Sequence, residues 1–362
     1  MNKDTKYWNA FNQNLKVGPV RFQKLYNYFE NLSDAWHASG QELNESGLEK
    51  NVIDYITVKR KEIDPDIEME KLLKENIKVI TIKDESYPKI LKEIYNPPAL
   101  LYVRGQITPS DDLALGVVGT RKVSDYGKIV TPDIINDLSN NNITIISGLA
   151  LGVDAMAHFY ALKNSGRTIA VLGSGIDEKS IYPYANKILA QKIIENGALI
   201  SEYPIGTMPL KPNFPARNRI ISGLSRGTLV IEAPESSGAL ITAKFSLEQN
   251  REVFAIPGNI TSQNSIGPNN LIRMGAKLVT SAQDILDELN LNLATEFAKS
   301  KKIVPDSKEE ESILKYVSKE PIHIDKLIAK TKLTASTLSS CLTLMEMKGK
   351  VRNLGGMMYV IN

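Results

Sequence analysis

The feature that most constrains this chain is an alternation that runs across residues of about 77–290. Continuous apolar runs occupy 113–118, 143–146, 168–172, 198–200, 228–231, 253–256 and 277–279. Amphipathic stretches separate them, including 127–138, 153–163, 184–195, 239–249 and 281–289. A strand with no in–out polar alternation is buried on both faces, so these runs predict a parallel sheet flanked by helices. Glycines stand where the runs stop, at Gly119, Gly148, Gly173, Gly175 and Gly258. The ligand crevice of an open parallel sheet lies at the carboxyl ends of its strands, so these corners are expected to converge on one edge.

The flanks read differently. Residues 1–70 carry apolar residues at helical spacing, as in VRFQKLYNYF and again at Leu32, Ala35 and Trp36, with Asn31 or Ser33 as the expected cap of that second helix. The turn at Lys16–Val20 resembles a helix-hairpin-helix or SAM-like corner. It has only Gly18 where such a turn usually has two glycines, and Pro19 removes a donor, so a packing role is expected. Residues 291–311 are polar, with a lysine pair, a proline and an acidic run, and read as a linker. Residues 312–362 read as three helices (313–317, 324–329, 335–348) and a hairpin with Gly355 and Gly356 at its tip, which is a winged-helix order. The third helix is apolar and poor in arginine, so a protein-contact or weak DNA module is expected rather than a sequence reader.

Composition narrows the chemistry. Lys and Arg number 44 against 41 Asp and Glu, for a net charge of +3, so nucleic-acid binding would need a local pocket rather than bulk charge. The single cysteine, Cys341, excludes disulfide and cysteine-zinc frameworks. No apolar run approaches the length of a membrane span and the first residues lack a secretory pattern, so a cytoplasmic protein is expected. Asp154 and His158 share a helix face, but no third ligand is near, and a buried or capping role is expected in place of a metal.

Five strand-end segments carry the functional signal. GVVGTR at 116–121 places Gly119, Thr120 and Arg121 between a strand and a helix, where exposed amides and a planar cation suit a phosphate. SGLALGVD at 147–154 puts Ser147 and Gly148 at the next corner, with Asp154 holding the loop. GSGID at 173–177, followed by Tyr182 and Pro183, is read as a wall of the same crevice. KPNFPARNRIISG at 211–223, read as a loop, gathers Lys211, Phe214, Arg217 and Arg219; cations with an aromatic ring are how unpaired strands are held. The competing reading is that the two arginines pair with acids such as Glu202 and Glu232 and tie the loop down. EAPESSGALITAK at 232–244 offers amides at Ser237 and Gly238, with Lys244 reaching the same side. No nucleophile, acid–base pair or metal set accompanies these loops, so no catalytic residue, cofactor or metal is expected.

Together these motifs resemble the DNA-processing protein A family (DprA/Smf). The resemblance runs from about Ile77 to Val279. It includes DESYP at 84–88, NPPALLYVRG at 96–105, GTR at 119–121, SGLALGVDAMAH at 147–158, FPARNRIISGLS at 214–225 and SSGALITAKFSLEQNREVFAIPG at 236–258. It implies a Rossmann-like central domain that binds single-stranded DNA, forms a homodimer and loads the recombinase RecA on incoming strands during natural transformation, without turnover. On this chain the family's phosphate-facing turn falls on Gly119–Arg121, its Lys-x-x-Phe element on Lys211 and Phe214, and its Arg-Asn-Arg segment on Arg217 and Arg219. The rival is a nucleotide-binding Rossmann-like enzyme or sensor of the phosphoribohydrolase kind, which has less need of a basic, aromatic 211–219 segment. The single-strand reading requires Arg121, Lys211 and Phe214 to meet in one groove.

Overall fold

The computed structural model describes residues 4–13, 16–289, 306–318, 321–348 and 350–361. The chain forms two compact units, Met1–Leu289 and Asn290–Asn362.

In the first unit the strands β1 (Lys78–Thr81), β2 (Leu100–Gly105), β3 (Ala114–Val118), β4 (Thr144–Ser147), β5 (Thr168–Val171), β6 (Gly197–Ser201), β7 (Gly227–Val230), β8 (Glu252–Ala255) and β9 (Lys277–Leu278) make one nine-stranded sheet. Its order is β1-β2-β6-β5-β4-β3-β7-β8-β9. From β6 to β9 every neighbouring pair is parallel, and β3 to β7 are buried throughout. The apolar runs therefore mark the parallel strands to within a residue or two.

The sheet is not purely parallel. β1 and β2 add to the β6 edge antiparallel. Neither stood out as a strand, because β1 has only four residues with alternating exposure and β2 lies in a segment punctuated by prolines. β2 is nonetheless buried over Leu100–Val103. Helices α1 (Thr5–Asn12), α2 (Pro19–Tyr28), α3 (Leu32–His37), α4 (Gly40–Glu45), α5 (Lys50–Lys59) and α6 (Pro65–Lys74) share a core with this edge. Buried Tyr102 of β2 donates its hydroxyl to Asn9 Oδ1 at 2.7 Å. Asn12 Nδ2 donates to the Tyr102 oxygen at 3.2 Å and to the Glu202 carbonyl at 2.9 Å. Asn31 occupies the N-cap position of α3, but its side chain makes no capping bond. The carboxylate of Asp4 accepts the amides of Leu32 and Ser33 at 3.1 and 2.7 Å, a cap supplied from 28 residues away.

Further helices cover the sheet: α7 (Lys89–Lys92), α8 (Asp125–Asn140), α9 (Val153–Lys163), α10 (Lys187–Glu195), α11 (Asn213–Gly223), α12 (Ala239–Glu248), α13 (Ile266–Arg273) and α14 (Ala282–Glu288). The chain winds from β3 out to β6, then returns to β7 beside β3 and continues to β9. The direction of winding thus reverses between β3 and β7, and an open α/β sheet opens its crevice at such a point.

The second unit holds α15 (Lys308–Leu314), α16 (Ile324–Thr331), α17 (Ala335–Met347) and a small antiparallel sheet of β10 (Ile322–His323), β12 (Met358–Ile361) and β11 (Val351–Asn353). Most of the expected linker, 291–305, lies outside the described residues. Its last residues, 308–311, are helical, and α15 ends where the sequence reading expects its helix to be under way. Ser307 caps this helix by accepting the Glu310 amide at 3.1 Å, and the buried Glu310 carboxylate receives Lys350 Nζ at 2.6 Å and Lys348 Nζ at 3.2 Å. The acidic run that looked like solvated linker thus carries a buried ion cluster. Among the described residues no helix is long and apolar enough to cross a membrane.

Candidate nucleic-acid interface

The reversal between β3 and β7 opens into a cavity of about 330 Å³ at the carboxyl edge of the sheet. Its first wall is the turn after β3. A Cβ on Gly119 would lie 2.5 Å from Val153 Cγ2 and 2.9 Å from the Glu232 carbonyl oxygen, so this corner requires glycine. The Thr120 amide donates to that carbonyl at 2.6 Å, and the Val153 amide to the Thr120 carbonyl at 3.1 Å. These bonds fix the turn between β7 and the start of α9. Arg121 lines the cavity with an exposed side chain, and its guanidinium forms no ion pair with a described residue.

The floor is the loop after β4. Ser147 is fully buried and donates its hydroxyl to the Val117 carbonyl at 2.6 Å, so it ties β4 to β3 and does not face the cavity. Gly148 does face it. Asp154, at the start of α9, accepts the Gly148 amide at 3.1 Å and the Ala150 amide at 3.4 Å, the loop-holding role expected of it. Burial pushes the Asp154 carboxyl upward, against the pull of Arg217 and of these amides.

The 211–223 segment is a helix from Asn213 onward, not a loop. Helical phase then decides what its residues do. Phe214, Arg217, Asn218 and Ile221 recur at i, i+3, i+4 and i+7 and share the face toward the cavity. Arg219 lies roughly 200° round the helix from Arg217. Its two terminal nitrogens meet the Glu202 carboxylate at 2.8 and 2.6 Å. Arg217 is only 5% exposed and donates to the carbonyl of Gly148 at 2.8 Å and to that of Val171. Burial pushes its pKa down to about 10, which leaves it a cation at neutral pH. Both arginines therefore tie α11 to the sheet, one through Glu202 as the competing reading held and the other through carbonyls. Glu232 pairs with neither; its carboxylate accepts the Ser124 amide at 2.9 Å and the Ser124 hydroxyl. Lys211 is exposed just ahead of α11 and does not line the cavity.

The last wall is the turn after β7. Ser237 and Gly238 line the cavity where α12 begins, and Gly238 accepts Asn218 Nδ2 at 3.3 Å, closing the gap to α11. Lys244 is 77% exposed, 3.8 Å from Glu248, and does not line the cavity. Opposite, Tyr182 stands beside Phe214 with ring centroids 5.9 Å apart, and Gly173 leaves room behind Phe214, where a Cβ would come within 3.2 Å of its ring. The cavity thus joins Gly119, Thr120, Arg121, Gly148, Phe214, Arg217, Ser237 and Gly238, and leaves Ser147, Lys211, Arg219 and Lys244 outside it. Leu151, Asn218 and Ile241 also line it and were missed. Reading 211–223 as a helix would have exposed Asn218 one turn after Phe214.

Asp154 and His158 take the buried, structural roles expected of them, Asp154 on the loop amides and His158 beside Thr168. Thr168 donates its only hydroxyl proton to the Ile145 carbonyl at 2.7 Å, so His158 Nδ1, 2.6 Å from that hydroxyl, carries the imidazole proton. Burial and the nearby Arg217 push the His158 pKa down to about 3. An unfolded histidine ionises near 6.5, so the unfolded chain binds the extra proton and stability falls as pH drops from 6.5 toward 3. About 1 kcal/mol should be lost between pH 6.5 and 5.5. Urea titrations should show that His158→Asn removes this loss; an unchanged pH slope would contradict the assignment.

The fold and cavity define a doubly wound α/β protein with a glycine-lined crevice at its switch point. The model of the DNA recombination-mediator protein A family matches residues 78–290, and that of the DprA winged helix domain matches 298–357. The chain belongs to the DprA/Smf family of DNA recombination-mediator proteins. It is 37% identical to protein Smf of Synechocystis over 99% of both chains. It is 48% identical to DNA processing protein DprA of Streptococcus pneumoniae over 58% of this chain and 73% of that protein. The X-ray structure of S. pneumoniae DprA superposes with a TM-score of 0.67 at 38% identity, covering 78% of this chain and 97% of that one. A Helicobacter pylori DprA structure, described for its single-stranded DNA binding mode, gives a TM-score of 0.53 at 31% identity, covering 59% and 97%.

Proposed function

We propose that the crevice binds single-stranded DNA. The observation that carries this is Arg121, a cation without an ion-pair partner among the described residues, set in the same cavity as the paired rings of Phe214 and Tyr182. Phosphates would rest on Arg121 and on the amides about Gly119 and Gly238, while Phe214 stacks a base; the amides of Thr120, Gly148 and Ser237 are taken up by Glu232, Asp154 and Pro234. Lys211 and Lys244, both exposed outside the cavity, would meet the strand only along its flanks. Arg217, Arg219 and Ser147 shape the crevice without touching the strand. The single-strand binding described for the H. pylori relative supports this reading. Following the family resemblance, the protein would act as a homodimer, without turnover, and load RecA during natural transformation. RecA assembly on single strands, measured with and without the protein, tests that step.

Arg121→Ala should weaken oligothymidylate binding and reduce the slope of log affinity against log salt by about 0.7, the share of one phosphate contact on a single strand. Unchanged affinity and slope would remove Arg121 from the site. The second reading, a mononucleotide sensor, draws on the cavity volume, which lies within the range of small-molecule pockets. Stabilisation against heat by oligothymidylate but not by nucleoside monophosphates favours the strand.

A further inference from the structure

We propose that the strand leaves the crevice over Tyr182 and continues on to Tyr184, which serves as an outer platform for unpaired bases. This rests on the single-strand reading above and adds the path taken outside the cavity. Tyr182 and Pro183 line the cavity, and Tyr184, the next residue in the chain, does not. Two residues span at most about 7 Å of chain, so the Tyr184 backbone lies close to that of Tyr182. Tyr182 is 45% exposed and Tyr184 80%, and Ile188 a few residues on is 74% exposed. A ring this open gains almost nothing from packing in its own chain, and its face is available for stacking.

The backbone beneath the ring is fixed to the crevice. Tyr184–Asn186 form a single 3₁₀ turn. Buried Asn186 donates through Nδ2 to the carbonyls of Leu149 at 2.8 Å and Ala150 at 3.2 Å. Ala150 is part of the cavity lining, so the platform is pinned to the loop that forms the floor. The neighbouring cation, Lys187, stands 5.9 Å from the Tyr184 ring centre and is committed to Glu178 at 2.8 Å. The platform therefore offers a ring face in place of net charge. Salt dependence belongs to Arg121, and dependence on strand length belongs to Tyr184.

Fluorescence anisotropy with oligothymidylates of about 4 and about 16 nucleotides, the limits of common single-strand sites, tests this. Tyr184→Ala should bind the long strand about five- to a hundredfold more weakly, with the salt slope unchanged and short-strand affinity as in the parent. Tyr184→Phe should match the parent on both lengths. The exposed ring contributes little to stability, so the melting temperature of Tyr184→Ala should stay at the parent value. Parent-like affinity of Tyr184→Ala for the long strand, or equal losses on both lengths, would overturn the platform. A parent protein that binds neither length would overturn the single-strand reading itself, and the platform with it.

Discussion

Arg217→Ala should cost the fold about 3–5 kcal/mol, the range seen when one member of a buried charged pair is removed. The guanidinium lies under the crevice floor, where it satisfies the carbonyls of Gly148 and Val171 and offsets the buried charge of Asp154. Alanine would leave the Gly148 and Val171 carbonyl oxygens without this donor and remove the buried cation that offsets Asp154. Replacement by lysine should recover only part of the loss, because one ammonium does not reproduce the planar fork that spans two carbonyls. Urea denaturation reads the effect directly. If Arg217→Ala kept full stability and lost only DNA affinity, the residue would be a strand contact and its assignment as a tie would be wrong.

Gly152→Ala should be nearly as damaging, by a different route. Gly152 has φ of 82° and ψ of −128°, a conformation that L-residues with a Cβ avoid, and an added Cβ would lie 2.3 Å from the Thr120 carbonyl oxygen. Relief requires the loop before α9 to move away from the β3 turn, breaking the Val153–Thr120 hydrogen bond that seats Thr120 and Arg121. Backbone strain and overpacking together are expected to cost about 2–4 kcal/mol. Affinity for single strands should fall as well at temperatures where the variant is still folded. Calorimetry and anisotropy on the same sample separate the two effects. A variant that melted with the parent would show that the turn tolerates the displacement.

How much of this was legible depends on the range of the interactions involved. The parallel strands could be read because burial on both faces writes itself as uninterrupted apolar residues. The glycine corners could be read because a sheet of this kind must turn at its strand ends. The helix at Asn213–Gly223 could not, because Pro212, Asn213 and Pro215 look like punctuation. In the structure the prolines sit at and just after its start, where amides lack intrahelical partners anyway. Without that helix there was no phase to separate Arg217 from Arg219, and both were offered to the ligand. The Asp4 cap on α3 and the Glu310 cluster join residues tens of positions apart, and local propensity carries no trace of such pairings.

The two asparagines of α1 give the protein a property of a different order. Asn12 reaches the backbone of Glu202, whose carboxylate grips Arg219 on the helix that bears Phe214. The opening helix and the far wall of the crevice thus stand three links apart, although 190 residues separate the first pair in the chain. Amides along α1, β2 and α11 are expected to exchange with solvent together, with the N-terminal helices acting as a brace for the crevice; hydrogen exchange that protects α11 but not α1 would contradict this.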